Sequence, residues 1–166
     1  MKRLLTTVTL ILTLFGTTGI AMAAETPYGS ASALADESLT LNEMLTYAIQ
    51  DEYAAEAEYS EILNIYGQVK PFSSIIKAET KHISSLIPLF ETNGIAIPIN
   101  DADSHVVLPG SLKESYVVGV EAEIKNIAMY DSFLEEDLPA DVRTIFESLK
   151  AASESHLAAF QRKANR

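Results

Sequence analysis

The chain has 166 residues, with 12 Lys and Arg against 23 Asp and Glu, a formal net charge of −11, three histidines and no cysteine. That length gives room for one domain with a proper core, and the lack of thiols excludes a disulfide framework, a thiolate metal site and a lipid-anchored cysteine. The acidic balance excludes nucleic acid as a partner, since such a surface repels phosphate backbones; taken alone it reports solubility and is no sign of metal binding.

The first segment reads as a secretory signal. Lys2 and Arg3 form its basic start, Leu4 to Ile20 is apolar, and Ala21-Met22-Ala23 fits the small-x-small cleavage rule. Residues 1–23 are therefore expected to be removed, which takes the net charge from −11 to −13 with the loss of Lys2 and Arg3. The expected destination is a periplasm or the cell exterior, with membrane contact only through the signal; an uncleaved anchor is the lesser alternative. Residues 24–39, mostly small and polar (ETPYGSASALADES from Glu25 to Ser38), are expected to form a flexible spacer.

Residues 40–163 carry four helical patterns. Thr40-Leu41-Asn42-Glu43 fits a capping box, and the helix it opens runs to about Tyr66, with Gly67 placed to stop it. Its apolar stripe is Leu41, Leu45, Ala48, Glu52, Ala55, Tyr59, Ile62 and Tyr66, interrupted by the acid Glu52. Pro71 suits the first turn of a second helix ending by Gly94, with stripe Phe72, Ile76, Glu79, Ile83, Leu86 and Phe90; Pro88 is expected to kink or loosen its last turns. Here Glu79 interrupts the stripe, and His82 lies one turn away on the same face.

Ile95 to Gly110 is too β-branched and too broken by proline for a helix. At about 3.3 Å per residue it can run roughly 50 Å, enough for a lengthwise crossover. Ser111-Leu112-Lys113-Glu114 is a second capping box, opening a helix to about Glu136 with stripe Leu112, Tyr116, Val120, Glu123, Ile127, Tyr130 and Leu134. Pro139 opens the fourth helix, with stripe Val142, Phe146, Leu149, Ser153, His156 and Phe160. The halves echo each other: Glu52 and Glu123 each precede a tyrosine (Tyr59, Tyr130) by seven residues, and Glu79-x-x-His82 is answered by Ser153-x-x-His156. The expected fold is all-α, a four-helix bundle of two hairpins joined by one long crossover, with pseudo-twofold character.

Packed antiparallel in pairs, these helices bring Glu52, Glu79, His82, Glu123 and His156 to one level of the core. A carboxylate on an inward stripe is expensive to bury unpaired, and a metal ion is the most economical partner for several at once. Any one of the five alone is ordinarily a misread helix phase, a snorkelling acid or a hydrogen-bonded core histidine; five at corresponding places in a repeat point to a metal site. An oxygen-rich set without thiolate favours Fe or Mn, as one or two ions, and Glu79 is best placed to bridge a pair. Tyr59 and Tyr130 read as packing, Glu56 as a solvated face rather than an extra ligand, Glu154 as facing water, and His105 as unconnected to the site.

Taken together, Asp51-Glu52-Tyr53, Pro71-Phe72-x-x-Ile75, Ala78-Glu79-x-x-His82, Gly119-x-x-x-Glu123 and Ala152-Ser153-x-x-His156-Leu157-x-Ala159-Phe160 resemble the ferritin-like dimetal-carboxylate superfamily, which includes rubrerythrins and bacterioferritins. The wording is closer still to its branch called domain of unknown function 2202, over nearly all of Thr40 to Arg162. The resemblance implies a ferritin-like fold and a di-iron or di-manganese centre that reacts with oxygen or peroxide, oxidises ferrous iron, or stores it. Glu52, Glu79, His82, Glu123 and His156 match its ligand positions. Two positions depart: Ser153 and Asn126 stand where the superfamily has further carboxylates.

Three functions stay open on the sequence. One is an exported oxidoreductase, ferroxidase- or peroxidase-like, whose partners are metal ions and O2 or peroxide. Another is a non-enzymatic metal-sequestering protein. The last is a helical interaction module whose buried polar residues fix register without metal. The native metal, the electron donor and the choice between a monomer and a homo-oligomer stay open with them.

Overall fold

The computed structural model describes residues 27–166; the expected signal sequence, 1–23, and the start of the spacer, 24–26, lie outside the described residues. The described residues form helices α1 (Ser30–Ala33), α2 (Leu41–Tyr66), α3 (Phe72–Asn93), α4 (Leu112–Leu134) and α5 (Ala140–Ala164), one 3₁₀ turn at Ala102–His105, and no strand. The fold is an all-α bundle. Thr40 forms the full capping box with Glu43, its hydroxyl accepting from Glu43 N–H and its own N–H donating to the Glu43 carboxylate. Ser111 forms only half of one: its hydroxyl accepts from Glu114 N–H at 3.2 Å, and no return bond is made among the described residues. Gly67 and Gly94 end α2 and α3. The expected loosening at Pro88 does not stop α3, which continues to Asn93; the proline is on the exposed side, where water can serve the carbonyl it leaves without a donor.

The direction of each helix follows from what it meets. Apolar residues form two clusters: a larger one containing Leu45, Ile49, Phe90, Tyr130, Phe133 and Phe146, and a smaller one of Tyr59, Ile62, Phe72, Ile75 and Phe160. Along α2 and α5 the chain passes from the larger cluster to the smaller; along α3 and α4 it passes the other way. So α2 and α3 form one antiparallel hairpin and α4 and α5 another, and α3 and α4 run in the same direction. The link from Ile95 to Gly110 must therefore return the length of the bundle, as its composition suggests. Its 3₁₀ turn packs against α2, with Ala102 buried and His105 stacked on Tyr28 at 4.2 Å.

Two positions differ from the sequence reading for physical reasons. The expected spacer is partly docked: α1 packs on α2 and α4, Ala33 is buried, and Ser30 N–H donates to Asp51 Oδ1 at 2.7 Å. Gly29 permits this contact, because its φ is +56° and a Cβ there would stand 2.6 Å from Asp51 Oδ1. The inward face of α4 is also turned by about one residue from the predicted stripe. Ser115, Gly119, Asn126, Met129 and Phe133 are buried beside Glu123 and Tyr130, while Leu112, Tyr116, Val120, Ile127 and Leu134 are only partly covered. Gly119 sets this rotation, since a Cβ there would lie 2.8 Å from the buried ring of Phe160.

Candidate metal centre

Between the two apolar clusters each long helix contributes a buried polar residue: Glu52 from α2, Glu79 from α3, Glu123 and Asn126 from α4, and Ser153 from α5. All five predicted site residues meet in this layer. Glu52 and Glu79 are each 3% exposed and Glu123 5%, while His82 and His156 keep one edge toward solvent. Two ligand groups result, Glu52–Glu79–His82 and Glu79–Glu123–His156, the atoms of each lying within 4.8 Å of one another.

Glu79 belongs to both groups, one oxygen to each. Its Oε2 is 2.8 Å from His82 Nδ1, which is also 3.0 Å from Glu52 Oε2. Its Oε1 is 3.3 Å from His156 Nδ1, which is also 3.5 Å from Glu123 Oε1. The two rings lie nearly parallel at 5.9 Å. Two donors each about 2.1 Å from a common cation are about 3.0 Å apart at a right angle and about 3.4 Å apart at a tetrahedral one. The four separations fall in or beside that span, so the donor set fits a cation in each group.

Charge in this layer is balanced by the two imidazoles. Burial alone would lower both, but hydrogen bonds to Glu52 and Glu79 outweigh it and hold His82 up at about 10; Glu123 and Glu79 do the same for His156, at about 9. Burial would raise Glu79, yet the bonds from His156 and His82 bring it down to about 2. Glu52 and Glu123 are driven upward chiefly by burial, since three carboxyls share two imidazoles.

The tyrosines are not mere packing. Tyr130 OH donates to Glu52 Oε1 at 3.0 Å and Tyr59 OH to Glu123 Oε1 at 3.3 Å, each crossing from one hairpin to the other. The seven-residue echo thus serves an antiparallel pair, in which each helix supplies an acid and the donor that orients the other's acid. Replacing either tyrosine by Phe is expected to cost the metal-free fold on the order of 1 kcal/mol and to weaken metal binding by about tenfold. Thermal unfolding and metal titration of Y59F and Y130F check this, and a selective loss in the Glu123 group for Y59F is the specific signature.

A network the sequence reading missed adjoins the ligands. Asp51, one residue before Glu52, accepts from Asn126 Nδ2 at 2.6 Å and from Ser30 N–H. Asn126 Oδ1 in turn lies 2.5 Å from the Ser153 hydroxyl. Ser153, Asn126 and Asp51 thus form one hydrogen-bonded chain, and burial raises the proton affinity of Asp51. With the carboxylates they line an inner cavity of about 20 Å³, room for about one water. Asp51 leaves no periodic signal, because it is a full 100° from the stripe; only the neighbouring polar Asn126 and Ser153 hint that something answers them. Glu56 instead accepts from Thr80, Glu154 is exposed near Lys150, and His105 is bound to Tyr28 away from the centre.

No family description and no curated protein matches this chain. Among solved structures it is similar to the crystal structure of a hypothetical protein from Methanococcus jannaschii DSM 2661, with a TM-score of 0.66 and 22% identity over 78% of this chain and 83% of that one. At that identity the likeness is one of fold.

Proposed function

We propose that the protein is an exported metal-binding protein that holds a pair of ions, Fe or Mn, in a carboxylate site of the ferritin-like type. The observation that carries this reading is Glu79, a buried carboxylate whose two oxygens belong to two separate ligand groups. A network that only fixed helix register would need no such shared residue; a bridge between two cations does. Export rests on Lys2, Arg3, the apolar run and Ala21-Met22-Ala23; among the described residues no helix is long and apolar enough to cross a membrane.

Glu52, Glu79 and His82 would hold one ion, and Glu79, Glu123 and His156 the other. Such a pair supplies Lewis acidity and one-electron chemistry toward dioxygen or peroxide. Tyr130 fixes the outer oxygen of Glu52, Tyr59 holds the Glu123 oxygen that faces His156, and the apolar clusters on either side keep bulk water from the carboxylates. The solvent-facing edges of His82 and His156 make α3 and α5 the side of entry. Sequestration without turnover is the second reading, favoured by Asn126 and Ser153: their polar atoms are engaged with each other and with Asp51, which leaves three carboxylates and two imidazoles.

Elemental analysis of protein purified without chelator tests the main reading, with about two Fe or Mn per chain expected. Protein that stays empty when offered both metals sinks it. Fe(II) added without air, followed by air, then separates the two readings. Ferric absorbance that keeps growing after one filling marks turnover, and absorbance that stops there marks sequestration.

A further inference from the structure

Outside residues 1–23 the chain has ten Lys and Arg against 23 acids, and six of the ten stand on one side of the bundle. Lys70, Arg162, Lys163 and Arg166 line a hollow of about 400 Å³ between the start of α3 and the end of α5, bordered by His156. Lys70, Lys77 and Lys81 line an adjoining hollow of about 420 Å³ bordered by His82; the two share Lys70 and Ser74. Neither wall contains an Asp or Glu. Among the described residues none of the six is in an ion pair, whereas Lys150 lies against Asp131 and Arg143 donates to the carbonyls of Leu134, the last residue of α4, and Glu136 in the turn after it.

Helix electrostatics explain only part of this. Arg162 and Lys163 occupy the last turn of α5, where the dipole favours cations. Lys70 is just before the start of α3, the positive end, and no acid stands in that first turn. There the dipole opposes a cation and adds to the field of the lysines. Gathering unpaired cations in a concave, partly apolar wall is costly without a counter-charge, and an acidic protein had many carboxylates to spare for the purpose. The hollow is shaped for a small guest, and the acidic remainder of the surface would repel a nucleic acid or an anionic membrane.

We propose that the hollow between α3 and α5 binds a small, multiply charged oxyanion, of the phosphate or polycarboxylate kind, beside the edge of His156. Lys70 and Arg162, from opposite walls, are the principal contacts, with the Ser74 hydroxyl, which Lys70 already approaches, as a further donor. The inference rests on the cavity and its charges and stands whether or not metal is bound.

Calorimetric titration of the metal-free protein with inorganic phosphate, pyrophosphate and citrate tests it. Saturable binding of at least one is expected, weakening as salt is raised. A K70S/R162S variant should bind about tenfold or more weakly, whereas K113S/K125S, which removes the same charge from α4, should change affinity by less than about twofold. Arg162→Lys keeps the charge and should keep most of the binding, which guards against a fold defect in the double variant. Phosphate or pyrophosphate without citrate identifies the phosphate source, and citrate alone a polycarboxylate. No saturation by any of the three up to about 10 mM, or equal losses in the two double variants, overturns the proposal.

Discussion

Glu79→Gln is expected to empty both halves of the centre at once, while Glu123→Gln empties only the half that contains His156. Glu79 gives Oε2 to His82 and Oε1 to His156. An amide has one acceptor oxygen, so Gln can serve one imidazole and must turn its NH2 group toward the other, donor against donor. Metal content should fall from about two ions to none in E79Q and to about one in E123Q, since Glu52, Glu79 and His82 survive the second change. The metal-free fold is affected as well. Breaking a buried pair by removing one partner costs about 3–5 kcal/mol, against a total stability of about 5–15 kcal/mol for a typical domain. E79Q should therefore melt many degrees lower than wild type even after chelator treatment. Elemental analysis and thermal unfolding of the two variants check both parts, and a single tightly held ion in E79Q would show the two groups to be independent.

The site was more legible than the surfaces around it. Helix ends were readable because they depend on local chemistry: Thr40 with Glu43, Ser111, Gly67, Gly94 and Pro139 act within one turn of themselves. The level of the ligands was readable because a polar residue among apolar ones at helical spacing breaks a strong pattern, and this happened in all four long helices, as an acid in α2, α3 and α4 and as Ser153 and His156 in α5. The facing direction of α4 was not, because its inner side is lined with Ser115, Gly119 and Asn126, which carry no hydrophobic signal. There a missing side chain makes room for Phe160, and absence of bulk leaves no periodicity to read. The docking of Tyr28 to Ala33 was hidden for a related reason: its polar anchor is a backbone N–H bonded to Asp51, 21 residues away, and its buried side chain is the small Ala33, in a stretch whose composition is that of a linker. Tyr59 and Tyr130 were placed on the right face, but their partners lie on the opposite hairpin, and the sequence of one helix does not name the partner in another.

Metal uptake should rise steeply with pH between 6 and 8, by about tenfold per pH unit for each half of the centre. The cause is competition for the same atoms. In the metal-free protein each Nδ1 holds a proton between two carboxylate oxygens, and a cation held by those oxygens and that nitrogen excludes the proton. His82 keeps it to about 10 and His156 to about 9, so both are protonated through the neutral range and each gives one up on binding. Glu79, already ionised down to about 2, contributes nothing to this slope. The same groups set the stability of the empty fold with the opposite sign. Imidazoles raised from 6.5 contribute stability that is complete below 6.5 and is lost as pH climbs through about 9 and 10. Glu79, lowered from 4.5, contributes above 4.5 and loses its share as pH falls toward about 2, an acid loss that the raised Glu52 and Glu123 partly offset. The empty protein is thus most stable in mild acid, and loaded protein gains on it as pH rises. Titration with Mn(II) at pH 6, 7 and 8, in buffers of different ionisation enthalpy, counts the protons released. A slope near zero over that range would mean that the imidazole nitrogens do not exchange protons for metal.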